Sequence, residues 1–459
     1  MTVSVPDETI AAIATAPGEG AIGIVRLSGS EAVAIVHGLF VSSGGYDIRV
    51  SKRRVYHGLI RSSEKGNLDE VLVQVMRAPH SYTREDVVEI NGHGGPGPLQ
   101  AILECVFEQG ARPAQPGEFT RRAFLNGRID LVQAEAVIDR IRAQTHAALR
   151  AAADSASGHL SRTLHQLAHT LADALAQVEA AVDFPEEDLP ELVNDALQAS
   201  LIDARRVMDE LLASAETGRF LREGARVAIA GRPNVGKSSL FNALLRDARA
   251  IVTAHPGTTR DLIEEVITVG GIPVRLIDTA GLRATEDEIE QLGIDAAHGA
   301  LRNADAVLFV IDGSEPVHDA DRILAEDLAP LEIPVLMVRN KVDLDDAPSP
   351  SWSDWFASIV PVSAQTGEGL TVLEDRLAEV LAGGASRSDA YGIVNRAHQR
   401  DSLRRAATAL DRVLSNYQAS PEFLSIDLRD ALRALGEITG ETTSEDVLDR
   451  IFSSFCIGK

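Results

Sequence analysis

Between residues 160 and 182, Leu160, Leu164, Leu167, Leu171, Leu175, Val178 and Val182 recur at three- and four-residue steps. That period predicts a long helix with one buried stripe. Asp183-Phe-Pro ends it, because proline cannot continue a helix interior. The texture upstream is different. Residues 1–125 set short β-like runs (Ile22-Gly-Ile-Val-Arg-Leu, Val71-Leu-Val-Gln-Val, Asp86-Val-Val-Glu-Ile) between glycine turns, predicting a compact α+β domain. Residues 126–221 read as alanine- and leucine-rich helix. Residues 222–382 alternate apolar strand-like runs with helical segments, the pattern of a doubly wound α/β domain. After the glycine-rich Ala382-Gly-Gly-Ala-Ser, residues 383–459 return to amphipathic helix, with Leu403, Leu410 and Leu414 among the apolar positions. Helix on both sides of an α/β segment predicts one helical domain with the α/β domain inserted into it.

The chemistry concentrates in the inserted segment. Residues 231–238 read Gly-Arg-Pro-Asn-Val-Gly-Lys-Ser, a complete phosphate loop between the strand-like Val227–Ala230 and a helix opening at Ser239. Backbone N–H groups of Asn234, Val235 and Gly236 can close around phosphates, Lys237 places a cation on them, and the Ser238 hydroxyl can ligate Mg²⁺. Asp278, Thr279, Ala280 and Gly281 follow the apolar stretch Val274–Ile277, so the aspartate falls at a strand end within reach of the metal. Gly257, Thr258 and Thr259 offer a hydroxyl pair suited to covering Mg²⁺. After Val335-Leu-Met-Val-Arg come Asn340, Lys341 and Asp343. The Asp343 carboxylate can accept from two donors that guanine carries and adenine lacks, so adenine would leave it unpaired. Ser363 and Ala364 follow a further apolar run and suit a contact with the guanine O6. Five such motifs in order, each at a strand end, predict GTP binding.

Hydrolysis requires more. A glutamine directly after the Asp-x-x-Gly motif orients the attacking water in many GTPases. Here that position is Leu282, which cannot. Asn234 can offer its side-chain oxygen to a monovalent cation beside the phosphates, and the Thr253–Gly257 segment can add carbonyls to the same ion. Glu290 is the nearest carboxylate able to position water, although its setting, Glu286-Asp-Glu-Ile-Glu290, equally suits a solvated charged face.

Bulk properties narrow the setting. With 459 residues, the chain has length for about three domains. A net charge of −24 argues against a broad basic surface gripping nucleic acid unaided. No apolar run reaches the length of a membrane span, and Cys105 and Cys456 alone imply neither a disulfide framework nor a metal cluster. A reducing cytoplasm is the expected compartment. Gly18-Glu-Gly20-Ala-Ile-Gly23 has the form of a dinucleotide fingerprint, but a β-like run follows where a helix should open, so it reads as a turn. His93, set between glycines with no second ligand at metal-binding spacing, also reads as a turn residue.

The whole chain resembles the MnmE (TrmE) family of bacterial tRNA-modification GTPases. The resemblance rests on Asp7-Glu-Thr-Ile, Gly20-Ala-Ile-Gly-Ile-Val-Arg-Leu-Ser-Gly, Ser81-Tyr-Thr-Arg-Glu-Asp, Gly92-His-Gly-Gly-Pro, Pro116-Gly-Glu-Phe-Thr, Arg122-Ala-Phe-Leu-Asn, the GTPase motifs and Phe455-Cys-Ile-Gly-Lys459. It implies a folate-binding, dimerising N-terminal domain, a helical domain and an inserted P-loop G domain. It implies work with the flavoprotein MnmG, as a heterotetramer around a homodimer, on C5 of the wobble uridine of certain tRNAs. A 5-formyl- or methylene-tetrahydrofolate would supply the carbon unit, and FAD would enter only through the partner. Motif by motif, it implies a folate pocket of Arg26, Glu89, Arg128 and Lys459. The loop Thr253, Ala254, His255, Pro256, Gly257, Thr258 and Thr259 joins the GTP contacts, together with Ser239. K⁺ falls to Asn234, Thr253, His255 and Thr258, Mg²⁺ to Ser238 and Thr259, and catalytic water positioning to Glu290. Cys456 reads mainly as tail packing, with nucleophilic attack on uridine as the alternative. The rival class is a regulatory or ribosome-assembly GTPase switch, which has no need of Arg26, Glu89 or the Cys-Ile-Gly-Lys tail.

Overall fold

A computed structural model describes residues 8–50, 55–62, 64–183, 194–248, 264–278, 301, 303–331, 333–344, 355–356, 358–382, 392–417 and 421–459. They fall into two compact units, residues 1–138 with 433–459, and residues 139–432.

The first unit opens with β1 (Ile10–Ile13), β2 (Gly20–Ser28), α1 (Ala32–Leu39), β3 (Phe40–Ser42), β4 (Val55–Ser62), β5 (Gly66–Met76), β6 (Val87–Gly94), α2 (Pro96–Glu108) and β7 (Arg112–Pro113). Helices α3 (Glu118–Leu125) and α4 (Leu131–Arg142) follow. The strands form one sheet in the order β3-β4-β5-β6-β2-β1-β7. β2 and β6 pair antiparallel, with Val25 opposite Ile90, Arg26 opposite Glu89 and Leu27 opposite Val88. Because side chains alternate along a strand, Val25, Leu27, Val88 and Ile90 enter one core with α1 and α2, while Arg26 and Glu89 stand on the other face. Gly23 lies inside β2, and a Cβ there would meet the Leu99 side chain of α2 at 2.4 Å. The glycine therefore serves close helix packing, and no dinucleotide turn forms.

The second unit begins with α5 (His146–Ala156), α6 (His159–Asp183), α7 (Asp195–Ala213) and α8 (Ala215–Glu223). On α6, Leu160, Leu164, Leu167, Leu171 and Val178 of the expected stripe are buried, while Leu175 and Val182 are only half-buried. The inserted domain comprises β8 (Ala225–Ala230), α9 (Lys237–Ala248), β9 (Glu264–Val269), β10 (Ile272–Asp278), β11 (Ala306–Asp312), α10 (Asp319–Leu328), β12 (Val335–Asn340), β13 (Ser358–Pro361) and α11 (Leu370–Leu381). Its sheet order is β13-β12-β11-β8-β10-β9, parallel except for the β9–β10 hairpin. Leu240, Leu244, Leu373 and Leu377 cover one face, and Ala325, Leu328 and Phe356 the other, which gives the doubly wound layering.

The chain then returns through α12 (Ala397–Ser415), α13 (Pro421–Thr439) and α14 (Glu445–Ser453). Where it leaves and rejoins the helical part, Val394 donates its N–H to the Ser214 hydroxyl at 3.2 Å. Arg205 of α7 binds Asp411 of α12 at 2.7 Å, and Arg429 of α13 binds Glu179 of α6 at 2.6 Å. The two helical stretches thus pack together around the insertion. In the first unit, Leu448 and Phe452 of α14, with Phe455 just after it, join a core with Leu131, Ala134 and Ile138 of α4. Among the described residues no helix is long and apolar enough to cross a membrane.

Candidate functional site

The phosphate loop occupies the turn from β8 into α9. Gly236 adopts φ +94°, and a Cβ there would fall 2.3 Å from the Asn340 amide nitrogen, so only glycine fits. Asn234, also left-handed at φ 67°, is exposed. The buried Lys237 folds back over the loop, its Nζ donating to the carbonyls of Gly231 and Arg232 at 2.8 Å each. Ser238 and Ser239 lie exposed in the first turn of α9, where the helix dipole and the first-turn N–H groups favour an anion.

Asn340 stitches three motifs together. Its Nδ2 donates to the Val235 carbonyl at 2.9 Å, and its Oδ1 accepts from the Ala364 N–H at 3.0 Å. It is 2% exposed, so these bonds are made inside the fold. Lys341 is left-handed at φ 68°, and Val342 N–H bonds the Val362 carbonyl at 3.2 Å, which leaves Asp343 exposed beyond the turn. The buried Ser363 accepts from Thr366 N–H at 3.1 Å. Asp278 ends β10 directly opposite Ile229 of β8, so its backbone lies beside the strand that feeds the phosphate loop. The structure therefore brings together Asn234 to Ser239, Asn340 to Asp343, and Ser363 with Ala364. The expected contacts at Thr253, Ala254, His255, Pro256, Gly257, Thr258, Thr259, Thr279, Ala280 and Gly281, the Leu282 position and Glu290 lie outside the described residues.

A second cluster forms on the open face of the N-terminal sheet. The Arg26 guanidinium binds Glu89 Oε1 at 2.8 Å and donates through Nη1 to the Gly458 carbonyl at 3.1 Å. Its Cζ lies 6.0 Å from the Tyr82 ring centre and 5.7 Å from that of Phe119. Arg128 stacks on the same tyrosine, its Cζ 4.8 Å from the ring centre, within cation–π range. Arg128 is exposed and has no carboxylate partner among the described residues. Gly458 packs against β1, where a Cβ would meet the Ile13 carbonyl at 2.5 Å. The tail is further pinned by Gly117 N–H on the Cys456 carbonyl at 3.4 Å and Lys459 N–H on the same oxygen at 3.3 Å. Arg26, Glu89, Arg128 and the Gly458–Lys459 end of the tail thus share one neighbourhood. Sequence reasoning missed Tyr82 and Phe119. Tyr82 stands inside Ser81-Tyr-Thr-Arg-Glu-Asp, and an aromatic residue between a serine and a threonine in a polar loop was the available signal.

A buried charge network holds that loop. Arg122, 2% exposed, donates to Glu85 Oε2 at 3.1 Å, to Glu118 Oε1 at 3.1 Å and to the Glu8 carbonyl at 2.9 Å. Glu85 also accepts from the Ser28 hydroxyl at 2.7 Å, which ties the loop to β2. Burial pushes the Glu118 carboxyl up, but the Arg112 guanidinium and the Gln115 N–H outweigh it and hold it below its ordinary value. Tyr82 OH meets the Thr120 hydroxyl at 3.0 Å.

His93 corrects its expectation. It sits in strand β6, opposite Ile22, not in a turn, and its Nδ1 meets Asp69 Oδ1 at 2.6 Å. Hydrogen bonding to Asp69 raises its pKa. Among the described residues no cluster of His, Cys, Asp or Glu could hold a metal ion. Cys105 is buried and Cys456 exposed, so Phe455, not the thiol, packs the tail.

Comparison with known proteins places these features. Residues 9–128 match the family model for the N-terminus of the GTP-binding protein TrmE, and residues 131–456 match the MnmE helical domain. The chain is 47% identical to the tRNA modification GTPase MnmE of Geotalea uraniireducens (strain Rf4), over 98% of this chain and 99% of the relative. It is likewise 47% identical to that of Chloroflexus aurantiacus, over 99% of this chain and the full length of the relative. Among solved structures, the G domain of the T. maritima FeoB iron transporter matches 34% of this chain and 98% of its own at 30% identity, with a TM-score of 0.26.

Proposed function

Because the chain belongs to the MnmE (TrmE) family and is a GTP hydrolase taking part in tRNA modification, we propose the finer reading that it acts as the timer of a folate-dependent reaction at the wobble uridine. The reaction adds an aminomethyl or carboxymethylaminomethyl group at C5, jointly with the flavoprotein MnmG. The observation that carries this reading is Arg26, which grips Glu89 on β6 and the Gly458 carbonyl of the tail at once. A plain nucleotide switch has no use for such a construction.

In the N-terminal unit, Glu89 accepts hydrogen bonds from the amide-like edge of a pterin, and the cations suit carboxylates. Arg128, exposed and without an anionic partner among the described residues, is the guanidinium open to a ligand carboxylate. Lys459 completes the group. When bound, the reduced folate supplies the one-carbon unit.

In the G domain, Lys237 and the N-terminus of α9 offer positive charge where phosphate charge develops. Asp343 selects guanine, and Asn340 keeps its loop in register with the phosphate loop. Ser238 and Thr259 would hold Mg²⁺. Leu282 cannot orient water, so this reading gives K⁺ to Asn234, Thr253, His255 and Thr258, and the water to Glu290. The exposed side chain and left-handed backbone of Asn234 suit such an ion. The working form in this reading is a cytoplasmic homodimer that joins MnmG in a heterotetramer, and the partner supplies FAD and most of the basic surface for tRNA.

Mass analysis of wobble uridine in tRNA from cells with and without the protein tests the reading. Loss of the C5 group on deletion is expected. Unchanged uridines, together with no binding of any reduced folate, would leave the switch reading standing. Hydrolysis should also slow sharply when Na⁺ replaces K⁺, and equal rates in both salts would refute the cation assignment.

A further inference from the structure

An arginine inside a phosphate loop invites the role of a charge-stabilising finger, but Arg232 is turned away to other partners. Its Nε donates to Asp321 Oδ2 at 3.1 Å, and its Nη2 pairs with Glu315. Asp321 is 2% exposed, and its Oδ2 also accepts from the His318 N–H at 3.2 Å. Its Oδ1 is buried with no hydrogen bond among the described residues, so Arg232 is a cation that makes this carboxylate tolerable in the interior.

The same segment reaches the base-recognition loop at its other end. Asp312 closes β11, and its Oδ1 accepts from the Ser314 N–H at 3.0 Å and the Ser314 hydroxyl at 2.6 Å. Its Oδ2 takes Lys341 Nζ at 2.5 Å. Gly313 N–H bonds the Asn340 carbonyl at 2.7 Å, and a Cβ at Gly313 would press on that oxygen at 2.9 Å. Lys341 is left-handed, a conformation that a non-glycine residue keeps only when its surroundings enforce it. The Asp312 carboxylate is one such restraint.

We propose that residues 312–321, which contain none of the GTPase motifs, form a bracket tying the phosphate loop to the guanine-recognition loop. Arg232 and Asp312 are then positioning residues for GTP: their side chains are engaged with Asp321 and Glu315, and with Ser314 and Lys341, yet both set how tightly the nucleotide is held. Cutting the bracket at either end releases the same restraint, so the two cuts are not independent.

Equilibrium binding of fluorescent GTP and GDP analogues to the full chain tests this with Asp312→Asn, Arg232→Gln and the double variant. Each single change is expected to weaken both nucleotides by about tenfold, and the double variant should be little worse than the weaker single one. Both should also narrow the preference for GTP over ITP, because the Lys341–Asp343 turn loosens. Arg232→Lys, which keeps the cation but not the fork, should recover part of the loss. Single variants within twofold of the parent, or a double variant near the roughly hundredfold product, would overturn the bracket. So would variants that lose thermal stability while keeping the parent's GTP over ITP preference, since that is the mark of a merely structural role.

Discussion

Arg26 and Glu89, 63 positions apart in sequence, meet at 2.8 Å because antiparallel pairing of β2 and β6 sets them directly opposite each other. Both side chains are less than one-fifth exposed, so the pair is partly desolvated and its geometry is fixed. Arg26 also carries the tail, through the Gly458 carbonyl. Arg26→Ala should therefore weaken binding of 5-formyltetrahydrofolate by about a hundredfold, since it removes a charged hydrogen-bond donor and unpairs Glu89 at once. Calorimetric titration of the ligand into the full chain checks this, with GTP hydrolysis unchanged as the control.

The tail makes a separate prediction. Gly458 sits at φ +90°, and a methyl group there would lie 2.5 Å from the Ile13 carbonyl. Gly458→Ala should dislodge Lys459 without touching any charge. The left-handed backbone alone costs about 1–2 kcal/mol, so folate affinity should fall about tenfold or more. Limited proteolysis should cut the variant near residue 455 faster than the parent. Equal cleavage and equal affinity would separate the tail from the site.

These two cases show what the sequence could and could not disclose. The phosphate loop was legible because its chemistry lies in consecutive residues, and Gly236 proves to be required by Asn340. Arg26 and Glu89 were legible only through resemblance, since no local pattern gives the register between β2 and β6. Arg122 was invisible for another reason: a charge in the polar stretch Thr120-Arg-Arg122 reads as solvated, and only the fold buries it beside Glu85 and Glu118. Tyr82 and Asp312 escaped because each acts through partners distant in sequence.

At the phosphate loop, Gly236→Ala should abolish nucleotide binding. The added methyl group would contact the Asn340 amide at 2.3 Å, and the residue would be held at φ +94°. Either the loop moves or the Asn340–Val235 bond breaks, and both misplace the N–H groups that face phosphate. Filter binding of labelled GTP should show no saturation at concentrations that saturate the parent, while far-ultraviolet circular dichroism stays the same.

Arg122→Leu removes the cation but leaves Glu85 and Glu118 in place. Breaking a buried ion pair from one side costs about 3–5 kcal/mol, because the remaining carboxylates stay desolvated. A lower urea midpoint is expected, together with weaker folate binding as the Tyr82 loop loses its anchor. The matched replacement of Glu85 by Gln alongside Arg122→Leu should recover part of the stability, which distinguishes unpaired charge from lost packing.

His398 gives the pH dependence its sign. Burial, with the neighbouring Arg396 and Arg222 cations, holds its imidazole down to about 4, against 6.5 for the free group, and Asp401 opposes this without offsetting it. The folded value lies below the unfolded one, so as pH falls the unfolded chain takes up this proton first. Its neutral form in the fold therefore carries no penalty above pH 6.5, and stability drains away as pH drops from there towards 4. At roughly 1.4 kcal/mol per unit, the gap sets an upper bound of about 3 kcal/mol on the loss. His398→Gln cannot titrate. The parent should be destabilised relative to this variant between pH 7 and pH 4.5, whatever the carboxylates common to both contribute. Urea midpoints of the two proteins at both pH values measure the difference, and parallel pH profiles would show that His398 is protonated in the fold as readily as out of it.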